Sequence, residues 1–186
     1  MKNRIILGSA FAALASFASV ASAQDSLEGG YVGLNYAFVT YEEDGISEEF
    51  DLGALVSKAG VQINPYLAAE IRAGFGVADD SMSANGVSLD LELDYLVGGY
   101  LVLGLPNESP VYPYAIIGAT KGELTASASG PGGSASASAS ESDISFGVGA
   151  NLDINKDFRV NGEYMQYIDK DGGEVSGISV GFAVLF

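Results

Sequence analysis

The sequence predicts an all-β fold, an eight-stranded antiparallel up-and-down transmembrane β-barrel. Three observations predict it. At the end of the chain Ile178, Val180, Phe182, Val184 and Phe186 fall on every second position, with Gly177, Ser179, Gly181 and Ala183 between them. Period two marks a strand with one apolar face and one face of little bulk. Seven other segments alternate in the same way, and the connections between them are by turns short and long. Mean hydropathy is positive, at +0.25, yet no apolar run after residue 23 is long enough for a spanning helix.

The elements follow in order. Residues 1–23 read as a cleaved secretory signal: Lys2 and Arg4 precede an uncharged apolar run, and Ala21-Ser22-Ala23 is a small-residue cleavage site. The run is short for a membrane anchor, so residues 24–186 form the single barrel domain. The first strand, 30–41, sets Val32, Leu34, Tyr36 and Phe38 against Gly33, Asn35 and Ala37. The second, 50–63, sets Leu55, Ala59, Val61 and Ile63 against Lys58, Gly60 and Gln62, with a mixed early half that invites a bulge over 54–58. Asn64-Pro65 is a tight turn. In the third, 66–77, Leu67, Ala69, Ile71, Ala73, Phe75 and Val77 oppose Glu70, Arg72, Gly74 and Gly76. In the fourth, 87–103, Val87, Leu89, Leu91, Leu93, Tyr95 and Val97 oppose Ser88, Asp90, Glu92 and Asp94.

After a proline-bearing turn at 104–110, the fifth strand, 111–124, has Tyr112, Tyr114, Ile116 and Thr120 on one side and Ala119, Lys121 and Glu123 on the other. The sixth, 144–154, groups Ile144, Phe146, Val148, Ala150, Leu152 and Ile154. Asn155-Lys156-Asp157 turns into the seventh, 158–168, where Phe158, Val160 and Tyr164 oppose Arg159, Asn161, Glu163 and Met165. The terminal strand is the eighth. Loops 42–49, 78–86, 125–143 and 169–176 are longer and polar, as on the outside of an outer-membrane barrel; the other connections suit short periplasmic turns. The segment 126–142 is nearly all Ser, Ala and Gly. It is expected to be mobile, or to extend its hairpin beyond the membrane.

Lipid offers the backbone no hydrogen-bond partner, so the sheet closes and turns its apolar face outward. The bore of eight strands is just wide enough for side chains to fill. The inward register holds Lys58, Glu70, Arg72, Asp90, Glu92, Asp94, Lys121, Glu123, Arg159 and Glu163. Buried charges persist when paired, so an ion network centred on Arg72, Lys121 and Arg159 is expected, as a structural plug rather than an ion path. Tyr31, Tyr41, Tyr66, Tyr95, Tyr112, Tyr114, Tyr164 and Phe186 lie near strand ends, where aromatic girdles form.

Composition excludes several functions. Loss of the signal removes Lys2 and Arg4 and no acid, leaving 6 basic residues against 24 acidic ones, the reverse of a nucleic-acid footprint. There is no Cys and no His. Disulfides, Ser-His-Asp and Cys-His catalysis and His or Cys metal sites are therefore out of reach, and neither an enzyme nor a cofactor is expected. The stretch 169–174, DKDGGE, begins like a calcium loop but lacks the later ligands and flanking helices, and reads as a hairpin turn. The dense acids at 42–51 suit solvent, or divalent-cation bridges to lipopolysaccharide phosphates.

The signal, the eight alternating strands, YVGLNYAF near the mature start, Glu70 with Arg72, and the terminal Phe186 together resemble the small OmpA/OmpX-like, or porin-like, outer-membrane β-barrel family. The resemblance covers the whole mature chain. It implies insertion in the bacterial outer membrane as a monomer among lipid and lipopolysaccharide. It also implies that Ile178, Val180, Phe182, Val184 and Phe186 form the signal read by the barrel assembly machinery; the aromatic common two before the end is here Val184. The peptidoglycan-binding domain that follows the OmpA barrel is not expected, since the chain stops at Phe186. The implied function is structural or surface-interacting, in adhesion or protection, with ligands met through the four outer loops. The alternative is a narrow pore or a ligand-carrying barrel, either a small-solute transporter or a soluble lipocalin-like periplasmic carrier.

Overall fold

The structure is a computed structural model and describes residues 29–43, 50–84, 87–105, 107–170 and 173–186. The expected signal at 1–23, the acidic segment 44–49 and the hairpin tip at 171–172 lie outside the described residues. Among the described residues nine strand segments make up the barrel: β1 (Gly29–Glu43), β2 (Phe50–Asn64), β3 (Leu67–Ala78), β4 (Asp80–Ala84), β5 (Val87–Gly104), β6 (Val111–Gly130), β7 (Gly133–Asp153), β8 (Phe158–Lys170) and β9 (Gly173–Leu185). Each pairs antiparallel with its neighbours. β3 and β4 both pair with β5 and together form one stave, so the barrel has eight staves.

Closure is made by β1 and β9, which run in unbroken register from Tyr31 opposite Leu185 to Glu43 opposite Gly173. Below that ladder Gly30 and Phe186 exchange both backbone hydrogen bonds, at 2.8 and 2.9 Å. Closure leaves no sheet edge at membrane depth, which lipid would penalise. The outward face is apolar where it must be. Ile178, Val180, Phe182 and Val184 on β9, Ile144, Phe146 and Val148 on β7, and Leu101 and Leu103 on β5 are all exposed. The apolar stretches run over 97–105, 111–119, 144–154 and 178–186, each close to the ~9–11 residues a tilted strand needs to cross the hydrocarbon.

Above this belt the staves differ in height. β4, β5, β6 and β7 continue outward as an extension whose last hairpin ends at Gly130 opposite Gly133. The Ser/Ala/Gly segment 126–142 is thus the tip of a long hairpin. Gly133 adopts φ +129°, and Gly132 and Gly133 lie just after Pro131 in its turn. Period two sorts the hairpin cleanly: Leu124, Ala126 and Ala128 pair with Ala139, Ala137 and Ala135 on the inner face, while Thr125, Ser127 and Ser129 pair with Ser138, Ser136 and Ser134 on the outer face.

Two irregularities matter. The β2–β3 register slips between Gly53 and Ala54, close to the expected bulge, yet inward parity on β2 runs unbroken through Leu52, Ala54, Val56 and Lys58. The β5–β6 register slips between Leu93 and Tyr95, leaving Asp94 without a ladder partner. A one-residue slip exchanges the two faces of a strand. Below it Leu96 and Tyr100 point inward; above it Leu91 and Leu93 do.

Candidate functional site

The bore is closed near its middle by a polar plug. Glu70 and Arg72 are two apart on β3 and share the inner face. The Arg72 Nε donates to Glu70 at 2.5 Å, and its Nη1 donates to Glu163 Oε2 on β8 at 2.6 Å. Lys58 from β2 reaches Glu163 Oε1 at 2.8 Å and Asn161 Oδ1 at 2.9 Å. The Tyr31 hydroxyl donates to Glu70 at 2.7 Å and the Tyr114 hydroxyl to Glu163 at 2.7 Å. Asn161 donates to Asn35, and Asn35 to Ser179. The Arg72 guanidinium stacks 5.0 Å from the Tyr100 ring centroid, and the Tyr100 hydroxyl continues through Thr120 and Ser145 at 2.6 Å each.

Every stave thus gives at least one side chain to the plug. Its two cations and two anions balance, and all four charged groups are buried. Among the described residues no buried side-chain nitrogen or oxygen lacks a partner, the condition under which a buried ion network is tolerated. Glycine makes the room. A Cβ on Gly60 would collide with the Tyr31 ring, and one on Gly149 would sit 2.5 Å from Tyr114 Cζ.

On the periplasmic side lies a vestibule of about 370 Å³. Arg159 there binds Asp153 through Nε at 2.6 Å and stacks 4.8 Å from the Tyr112 ring centroid. On the outer side lies a larger cavity of about 720 Å³, walled by Val39, Phe50, Leu91, Leu93, Leu96 and Leu124. The three levels share one bore but differ in chemistry.

The ten charges expected inside divide in two. Lys58, Glu70, Arg72 and Glu163 form the plug, and Arg159 sits apart in the vestibule. Asp90, Glu92, Asp94, Lys121 and Glu123 are not inside. Asp90, Glu92 and Asp94 are turned outward because the bulge at Asp94 brings Leu91 and Leu93 in. Lys121 and Glu123 follow the outward parity of Ala119, above the lipid belt, where water solvates them. The plug therefore centres on Arg72 and Glu163 rather than on Lys121 and Arg159.

The tyrosines are also redistributed. Tyr31, Tyr112 and Tyr114 turn inward as hydrogen-bond donors, and Tyr41 lines the outer cavity. Tyr66, Tyr164 and Phe186 stay on the outer face. Asn35, Asn161, Thr120, Ser145 and Asp153 were not singled out from the sequence. Their signal was positional: Asn35, Asn161, Ser145 and Asp153 share the inward register with the glycines and charges of their strands. The apolar signal residues Ile178, Val180, Phe182, Val184 and Phe186 all face outward.

Residues 9–186 match the family described as outer membrane protein beta-barrel domain. The chain belongs to this outer-membrane β-barrel family. No curated protein sequence matches it. Among solved structures it is similar to Ail, the attachment invasion locus protein of Yersinia pestis. The TM-score is 0.65 at 20% identity, covering 86% of this chain and 100% of that one. It is also similar to Neisserial surface protein A, with TM-score 0.55 at 18% identity over 83% and 96% of the two chains. A third likeness is a major outer membrane protein of Thermus thermophilus, with TM-score 0.58 at 14% identity over 85% and 98%. At these identities the likeness establishes the fold. The protein is a small OmpA/OmpX-like barrel of the bacterial outer membrane.

Proposed function

We propose that this outer-membrane barrel is a closed, non-catalytic surface-interaction protein, working as a monomer in adhesion or surface protection. The observation that carries the reading is the plug: a charge-balanced network drawn from every stave fills the bore at its narrowest chemistry. With the bore filled, the parts left to act are those outside the membrane, above all the β6–β7 hairpin with its outward Thr and Ser rows. The contact surface extends over loops 42–49, 78–86, 125–143 and 169–176. Ile178, Val180, Phe182, Val184 and Phe186 serve as the assembly signal, and the outer carboxylates meet lipopolysaccharide through divalent cations.

Ail has been solved with the heparin analogue sucrose octasulfate. That ligand is a polyanion, whereas this chain carries 24 acidic residues against 8 basic ones. Its surface accordingly suits a neutral or basic partner.

Two measurements test the reading. Planar-bilayer recordings of purified protein are expected to stay silent, and steady channels above about a nanosiemens would refute a filled eight-stranded bore. Replacing residues 127–136 by a two-residue turn that joins the paired Ala126 and Ala137 is expected to abolish adhesion of expressing cells while the heat-dependent gel shift of the folded barrel persists. Unchanged adhesion would remove the hairpin from the contact surface.

A further inference from the structure

We infer that the outer cavity is a binding site for an uncharged, apolar small molecule that enters from the cell exterior. The inference stands apart from the adhesion reading, since it concerns the inside of the extension and not its outer face.

Size is the first support. About 720 Å³ lies within the ~300–1,000 Å³ typical of sites for small organic ligands. Location is the second. The cavity stands above the lipid belt: at its height the outer face of the sheet carries Glu92, Lys121 and Glu123, which belong in water. The apolar lining therefore has no lipid to meet. A mouth that needed only to be wet would be lined with polar groups, as the vestibule below the plug is. Instead Val87 and Leu89 face the cavity while 48% and 39% exposed. An apolar concavity open to water is the ordinary form of a ligand site.

Charge sets the class of ligand. Among the described residues the ionic groups lining the rim are Glu141 and Lys170, joined to each other at 3.0 Å, so these residues present no surplus cation to a carboxylate or phosphate. The outward Asp90, Glu92 and Asp94 add a negative field that disfavours anions. At the floor the Thr120 hydroxyl is already bonded to Tyr100 and Ser145. An uncharged apolar molecule displaces water from Leu91, Leu93, Leu96 and Leu124 and leaves the Thr120 hydroxyl with both its partners. The plug beneath stops it from passing through, so the site holds a ligand and does not conduct it.

The test uses purified full-length protein in phosphatidylcholine nanodiscs and an uncharged phenyl diazirine as photolabel. Saturable labelling of Leu91, Leu93 and Leu124, competed by excess naphthalene, is expected. A carboxylate analogue of the probe is expected to label these residues about tenfold less or weaker still. Ala126→Trp fills the cavity and is expected to lower labelling by about tenfold, whereas Ala119→Trp on the lipid face leaves it unchanged. Folding of each variant is read from the heat-dependent gel shift, and Ala137→Leu serves if Ala126→Trp fails to assemble. Labelling confined to Ile117 and Val148 would mean partition into lipid alone and would overturn the inference. So would equal labelling by the carboxylate probe, or a cavity blocked by a co-purified acyl lipid or a second copy of the chain.

Discussion

From the periplasmic mouth to Thr120 the bore holds charges, amides and tyrosine hydroxyls, while the outward face of the same staves is apolar. From Thr120 outward the arrangement is reversed. The inner face carries leucine and alanine, and the outer face carries Ser, Thr, Asp, Glu and Lys. The staves do not change; the medium outside them does. In lipid the sheet is stable with its polar side in, and in water with its apolar side in. On β6 the switch is written in composition alone, since inward parity continues from Ile116 through Thr120 to Leu124 and Ala126. On β5 it is written in geometry: one extra residue, Asp94, exchanges the faces where the strand leaves the membrane.

The harshest way to break this comparison is to put a charge on the apolar inner face above Thr120. Leu93 is buried beside Leu91 and Leu96, with Leu124 packed against them, and Leu93→Asp sets a carboxylate there without a counter-charge. Loss of the heat-shifted folded band is the expected outcome. Deleting Asp94 instead removes only the extra residue of the bulge: Leu93 then directly precedes Tyr95 and stays opposite Leu124, so Leu91, Leu93 and Leu96 keep their inward face and the folded band is expected to persist. A normal folded band for Leu93→Asp would show that the inner face at this height is open to water.

This bulge is also where the sequence stops being legible. A period-two pattern identifies a strand and its two faces, but not which medium each face meets, and it cannot show a slip that preserves alternation on both sides. Residues 87–97 alternate so regularly that Leu91 and Leu93 appear to share a face with Val97, although they do not. Residues 111–119 fail for the opposite reason. Tyr112, Tyr114 and Ile116 lie inside and Val111, Ala115 and Ile117 outside, so both faces are apolar in type and the pattern is flat. By contrast, the terminal strand, the eight staves and Lys58, Glu70, Arg72 and Glu163 were readable, because within the lipid belt a long charge has only the bore to enter.

The inner half is next broken by Glu163→Gln. Glu163 joins Lys58, Arg72 and Tyr114, so the amide leaves the plug one positive charge in excess among buried groups. Breaking one partner of a buried ion network costs about 3–5 kcal/mol. A loss of that order is expected in urea unfolding from lipid vesicles. A loss below about 1 kcal/mol, the range of an exposed pair, would mean that water reaches the plug and that its burial is incomplete.

The smallest effect belongs to the wet outer face. Partial burial raises the Glu92 carboxyl above its ordinary value, and the Asp79 and Asp94 carboxylates raise it further. The folded state therefore binds this proton more tightly than the unfolded one. The penalty is present at neutral pH, where Glu92 is ionised, and is relieved as pH falls through the raised value. This site alone gains stability on mild acidification. Glu92 is largely exposed, so solvent and salt screen the like-charge part of the effect. The readout is the difference in urea midpoint between the native protein and Glu92→Gln, followed from pH 7 downward. The variant is expected to be slightly more stable at neutral pH, with the gap closing on acidification and shrinking in high salt. A gap that widens as pH falls would place Glu92 in a favourable ion pair instead, and would set this region on the same electrostatic footing as the plug.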